Sequence, residues 1–260
     1  MTDEVRERIL AFERQFEERC AERIEETSFG RAYLHLGFPG RYSSNFVWVD
    51  RPLDGVEADA LAADADRVLG EHDGFRHRKI QIDDERHGAR LAGSFLELGW
   101  SVQRDVFMVH ARKPEPRPEV DVIETDFVTA RPVIAEVMQG QPYIDSDDVQ
   151  RQLVDFREVL ERQVGARFFV AMVDGKPAAV CEAYVLDDVG QVEDVNTLEG
   201  FRGRGLASAI VLAAADWTRS QGAGLVFLIA DDDDWPKELY RRLGFVDAFR
   251  TWGFLRVIDT

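Results

Sequence analysis

The sequence predicts a mixed α/β (α+β) chain of two domains, each a sheet flanked by helices, and three observations carry that expectation. Helical and strand periodicities alternate along nearly the whole chain. Its 260 residues are comfortable for two domains of about 130 residues each. The stretch Lys113-Pro114-Glu115-Pro116-Arg117-Pro118 sets three prolines in alternation, which excludes helix and favours an extended connector. The expected organisation is a domain at 1–112, a linker at 113–119 and a second domain at 120–260.

The first half opens with an amphipathic helix over 3–27, whose apolar stripe is Val5, Ile9, Phe12, Phe16, Cys20 and Ile24. Strands are expected at 32–36 and 45–49, with Pro39-Gly40 turning between them. A helix at 56–69, a strand at 78–82 and a helix at 85–98 follow, the last stopped by Gly99. A strand at 102–110 closes this half.

Beyond the prolines the pattern reads strand 121–124, helices 131–139 and 147–163, and strands 167–173 and 178–186. Asp174-Gly175 supplies a two-residue hairpin turn between those strands. A polar, acidic strand follows at 192–197, then a glycine-rich turn and a helix over 205–221. An apolar strand at 225–229, a short helix ending at Leu243-Gly244 and a strand at 249–257 complete the chain.

Composition removes several function classes. The net charge of −17 is at odds with nucleic-acid binding, which needs a basic surface. The only lysines are Lys79, Lys113, Lys176 and Lys237; this lysine-poor, acid-rich balance predicts a solvated acidic coat and resembles proteins of salt-loving organisms. No apolar run approaches the ~20 residues of a membrane span. The charged N-terminus lacks an apolar signal region, so a cytoplasmic location is expected. Cys20 and Cys181 are expected as reduced thiols, and no histidine has metal-ligand spacing, so no metal is expected.

The most informative segment is Arg202-Gly203-Arg204-Gly205-Leu206-Ala207-Ser208 after the strand Val192–Thr197. Glycines let the backbone turn tightly, and the unpaired N–H groups of the next helix's first turn, with its dipole, favour a phosphate. A Walker loop is excluded, because no lysine follows Gly205. A dinucleotide turn is a near match, but the preceding strand is polar and the acid expected about 20 residues on is missing.

Arg202-Gly203-Arg204-Gly205-Leu206-Ala207 resembles the acyl-CoA signature [QR]-x-x-G-x-[GA] of the GNAT acetyltransferase superfamily. The likeness extends to Leu239-Tyr240-Arg241-Arg242-Leu243-Gly244-Phe245, similar to the family's closing helix with its L-Y-x-x-x-G-F ending. The resemblance implies sheets that are mixed and mostly antiparallel, and acetyl-CoA as co-substrate. It implies pyrophosphate binding by Arg202, Gly203, Arg204, Gly205, Leu206, Ala207 and Ser208, and pantetheine pairing by Val195, Asn196 and Thr197. For Arg202 and Arg204 a solvated role is equally open. Tyr240 stands at the family's general-acid position, or packs on the cofactor and orients its sulfur. Asp233 departs from the family's usual asparagine, so no contact is carried over; the run Asp231–Asp234 reads as a solvated turn.

The base is expected to be Glu193, with Glu182 or water in reserve. Alternation on a strand would turn Glu193 and Asp194 to opposite faces and put Glu193 with Val195 and Thr197. The segment 78–100 parallels 225–245, with Phe95 where Tyr240 would be and no R-x-x-G-x-[GA] loop at 50–77. The implied architecture is a tandem of GNAT-like domains with a degenerate first copy. The expected activity is acetyl transfer from acetyl-CoA to a primary amine of a small molecule or peptide, by direct attack in a ternary complex. Acids around 182–188 hint at a cationic acceptor. The alternative is a non-catalytic acyl-CoA-binding regulatory protein. Oligomeric state has no signal in the sequence.

Overall fold

The structure, a computed structural model, describes residues 3–111, 119–139, 141 and 143–258. The proline-rich stretch 113–118 lies outside the described residues. In chain order the elements of the first half are α1 (Asp3–Cys20), β1 (Arg23–Glu26), β2 (Gly30–Leu34), β3 (Phe46–Val49), α2 (Ala58–Gly70), β4 (His77–Ile82), α3 (Glu85–Glu97) and β5 (Ser101–His110). There follow β6 (Asp121–Thr125), α4 (Phe127–Met138), α5 (Asp147–Val164), β7 (Arg167–Val173), β8 (Lys176–Leu186) and β9 (Val189–Thr197). The chain then gives α6 (Leu206–Ser220), β10 (Leu225–Asp231), α7 (Pro236–Arg242) and β11 (Phe245–Val257).

Two compact units emerge, and neither is a continuous half. The first gathers the N-terminal segment up to Cys20, Phe107–Ala230 and Asp234–Ala248. The second gathers Ala21–Val106, Asp231–Asp233 and the segment from Phe249 onward. This corrects the expected division at 1–112 and 120–260, and packing supplies the reason. The stripe of α1 finds its partners in the first unit: Phe12 stacks on Tyr184 at 5.9 Å and meets Phe227 edge-on at 5.2 Å, and Phe16 stacks on Tyr184 at 5.0 Å. Likewise β11 pairs through Trp252–Val257 with β4, inside the second unit.

In the first unit the strands run β10-β9-β8-β7-β6; β9 and β10 are parallel and the other pairs antiparallel. In the second they run β1-β2-β3-β4-β11, with only β3 and β4 parallel. Each unit is thus a mixed, mostly antiparallel sheet with helices on it, the fold class expected. Parallel neighbours need a crossover, which α6 supplies between β9 and β10 and α2 between β3 and β4. Among the described residues no helix is long and apolar enough to cross a membrane.

Local chemistry explains most element ends. Ser146 caps α5 by accepting from Val149 N–H, and Gly165 ends it in the left-handed region at φ 67°. Asp126 caps α4 by accepting from Thr129 N–H, so that helix starts at Phe127 rather than 131 and carries Pro132 inside it. Helix α1 stops at Cys20 rather than 27, because Arg23–Glu26 pair with Arg31–Leu34 as a hairpin. Ile24, expected on the helix's apolar stripe, is therefore 40% exposed. The acidic run is not all solvated: in the second unit Asp232 is buried between Arg250 Nε at 2.7 Å and Arg104 Nη2 at 2.8 Å. Cys20 and Cys181 are buried and are not joined in a disulfide.

Candidate active site

The site begins where β9 leaves its parallel neighbour. The register of β9 with β10 covers Val189, Gly190 and Gln191, yet β9 continues to Thr197. On its other edge β9 stays paired with β8, but the register shifts: Glu193 faces Glu182 and Asn196 faces Val180, so Asp194 and Val195 share the place opposite Cys181. This is a β-bulge, and Asp194 sits in it at φ 55°. Aspartate tolerates the left-handed region better than most residues.

The bulge overturns the expected alternation. Glu193, opposite Glu182, accepts from Gln191 Nε2 at 2.5 Å. Asp194 is ion-paired with Arg157, whose Nε also lies 3.4 Å from Glu182 Oε2. Glu193 and Asp194 therefore look toward the same face, and Glu193 is not grouped with Val195 and Thr197. Glu182 and Arg157 are both buried, so Glu182 is committed to an ion pair.

Beside the diverging strand lies a cavity of about 480 Å³, lined on one wall by Val195, Asn196 and Thr197. Its floor is the glycine turn and the start of α6, through Arg202, Gly203, Gly205, Leu206, Ala207 and Ser208. Gly203 and Gly205 adopt φ 77° and 76°, backbone that a side chain strains. A Cβ at Gly203 would meet no atom within 4 Å, so the turn is open above its backbone. Helix α6 has no acidic residue in its first turn and no side-chain cap at Gly205, leaving its N–H groups for an anion. Opposite, α7 presents Tyr240. Burial, then the charge of Glu193, push its phenol above the ordinary value of 10.0.

Eleven of the twelve residues expected at the site divide plainly. Val195, Asn196, Thr197, Arg202, Gly203, Gly205, Leu206, Ala207, Ser208 and Tyr240 line the cavity; Glu193 does not line it, but its charge acts on Tyr240. The twelfth, Arg204, does not line it; its guanidinium lies 5.4 Å from the centre of the Phe201 ring, in keeping with the solvated alternative. Sequence reasoning missed Phe201, Trp235, Pro236, Leu239 and Arg242 in the lining. Helical spacing carried a signal for one: Pro236 lies four residues before Tyr240, on one face of α7.

The donor set suits an acyl-CoA. A helix N-terminus with Arg202 and Arg242 at its mouth suits phosphates, and the edge of β9 suits an extended amide-bearing arm. Thr197 Oγ1 is buried in the wall without a hydrogen-bond partner, a polar atom that a bound arm can satisfy.

Fold and cavity together define an α/β protein whose sheet opens at a bulge beside an uncapped helix N-terminus. Residues 133–245 match the model of the Acetyltransferase (GNAT) family. An uncharacterized N-acetyltransferase of Methanocaldococcus jannaschii is 28% identical over 99 residues, a match spanning 35% of this chain and 44% of that relative's length. Among solved structures, a functionally unknown conserved protein from Staphylococcus epidermidis superposes with a TM-score of 0.68 at 19% identity, over 92% of this chain and 95% of that one. A GCN5-related N-acetyltransferase from Kribbella flavida gives 0.61 at 19% identity, over 95% and 93%. A tandem GNAT protein from the clavulanic acid biosynthesis pathway gives 0.56 at 15% identity, over 88% and 78%. At these identities the likeness is one of fold.

Proposed function

We propose that the chain is an N-acetyltransferase that moves an acetyl group from acetyl-CoA to a primary amine by direct attack in a ternary complex. The observation that carries this reading is the meeting of Tyr240, the glycine turn and the unpaired edge of β9 around one cavity. The pyrophosphate would lie on the first turn of α6, and the pantetheine along Val195–Thr197. The Val195 N–H would face the thioester carbonyl and stabilise the oxyanion.

The amine nitrogen then attacks the carbonyl carbon, the C–N bond forms, and the C–S bond breaks. The ammonium proton leaves through water to Glu193, and the departing sulfur takes its proton from Tyr240. The raised pKa keeps Tyr240 protonated through neutral pH, so it always presents a donor. A free thiol ionises near ~8.5, below the phenol, so transfer from Tyr240 to the sulfur is uphill and is drawn forward by release of the thiol product. Carboxylates at 182, 193 and 194 against one guanidinium at Arg157 favour a cationic acceptor.

The second unit fits a degenerate copy of the same fold. Its β3–α2–β4 crossover repeats β9–α6–β10, but α2 starts with Glu57 at its cap and Asp59 in its first turn, carboxylates that repel a phosphate. Phe95, in Tyr240's place, is spent in the core, stacked on Phe254 at 4.2 Å.

Two measurements test the proposal. Equilibrium binding should show acetyl-CoA bound and NADH not; the reverse sinks the acyl-CoA site. Thiol release with a panel of mono-, di- and polyamines should show turnover, and binding without turnover on any amine would favour a regulatory protein.

A further inference from the structure

We propose that Arg157 is a positioning residue for acyl transfer, holding Asp194 in the left-handed bulge that sets the Val195–Thr197 edge against the cavity. The inference rests on the acetyltransferase reading and deepens it. Arg157 comes from α5, not from any segment lining the cavity, and is only 4% exposed. A buried guanidinium is costly unless carboxylates pair with it, and here two do, although its Nε makes no hydrogen bond. Here one nitrogen is tied to the carbonyl of Leu153 in the same helix, one pairs with Asp194, and Nε lies 3.4 Å from Glu182 Oε2.

Those two carboxylates mark the two sides of the register shift. Glu182 sits on β8 where the ladder resumes, and Asp194 is the extra residue of β9. Asn196 Nδ2 adds a second clasp, donating to Asp194 Oδ1 at 3.0 Å and to its carbonyl at 3.1 Å. The bulge is thus fixed from α5 and from β9 itself. Without the guanidinium, Asp194 at φ 55° has little reason to stay in a strained region, and β9 can return to regular pairing. Such a slip would turn Val195, Asn196 and Thr197 to the wrong faces.

The test uses the full chain with Arg157→Lys, which keeps the charge but not the fork. CoA and acetyl-CoA share the phosphate cradle, whereas only acetyl-CoA presents a carbonyl to Val195 N–H. One hydrogen bond is worth roughly three- to tenfold in affinity, so the wild type should prefer acetyl-CoA by that factor. In Arg157→Lys the preference should vanish, CoA affinity should fall less than acetyl-CoA affinity as the shared pantetheine pairing loosens, and amide exchange across 193–198 should quicken about tenfold or more. Should that variant fail to fold, Asp194→Asn, which leaves Arg157 paired with Glu182, should show the same changes, smaller in size. An unaltered preference and unaltered exchange in either folded variant overturn the proposal. A wild type that binds neither CoA nor acetyl-CoA overturns the acetyltransferase reading instead, and the exchange comparison then decides whether Arg157 holds the bulge.

Discussion

His110 Nε2 donates to the carbonyl of Leu243 at 3.1 Å, and Leu243 closes the helix that carries Tyr240. Arg219 Nη1 lies 2.8 Å from His110 Nδ1, and a guanidinium only donates, so Nδ1 accepts and the proton sits on Nε2. The imidazole also stacks on Phe245 at 4.6 Å. Strand β5, helix α6 and the end of α7 are thereby tied at one buried ring. His110→Ala leaves the Leu243 carbonyl and the Arg219 donor without it, at a cost of about 1–3 kcal/mol. The expected result is a lower Tm by calorimetry, with turnover reduced more than acetyl-CoA affinity. Equal losses in both would remove any special tie between His110 and Tyr240.

Tyr240→Phe should keep acetyl-CoA affinity and lower turnover by roughly 10²–10⁴, the usual size of an acid–base contribution. Thiol release and binding calorimetry separate the two quantities. Because the phenol is raised by burial, the wild-type rate should show no alkaline fall from Tyr240 below pH 10. Equal rates in the two proteins would remove the acid role.

Gly205→Glu should abolish acetyl-CoA binding. It forces a side chain onto backbone at φ 76° and brings a carboxylate to the α6 N-terminus. Gly205→Ala separates these effects, since it carries only the strain, about 1–2 kcal/mol. If Gly205→Glu bound as tightly as wild type, the phosphate-loop assignment would be lost.

Acid should loosen the second unit first. Burial lowers His77 from 6.5 to about 4 and His35 from 6.5 to about 3; nearby Lys79 and Arg78 add to the shift at His77 and Arg41 at His35, and the Asn45 contact opposes it at His77. Below pH 6.5 the unfolded chain takes up protons that the folded one refuses. The associated stability is therefore full above 6.5 and is lost as pH falls toward about 4 and about 3. At 1.36 kcal/mol per unit the His77 share is of the order of 3 kcal/mol. Amides of β2–β4 should lose exchange protection before those of β7 and β8 between pH 7 and 4. Loss in the opposite order would contradict this account.

Trp235 lines the cavity yet is 66% exposed, which makes it a built-in reporter. Acetyl-CoA should change its emission, and Trp235→Phe should remove that change. A signal that persists in the variant would have to arise from another tryptophan.

The elements were legible because their signals are local. The helix at 147–163, the Asp174-Gly175 turn between β7 and β8, and the Leu243-Gly244 end of α7 each rest on signals within one element or its turn. The bulge was not, because its cause is tertiary: Asp194 is held by an arginine 37 residues away, and a strand pattern read alone assumes unbroken alternation. For the same reason the stripe of α1 was visible while its partners Tyr184 and Phe227 were not. Asp232 hid among solvated acids because its two arginines lie at 104 and 250.

Strand β11 gives the second unit residues from Phe249 onward, although β1 to β4 of that unit are made from residues 23–82. During synthesis, β4 must wait for an edge partner that leaves the ribosome roughly 170 residues later, some ten to thirty seconds at ordinary elongation rates. The first-made strands are thus among the last to be completed, and through that interval β4 is an open edge for a chaperone, or for another nascent chain, to occupy.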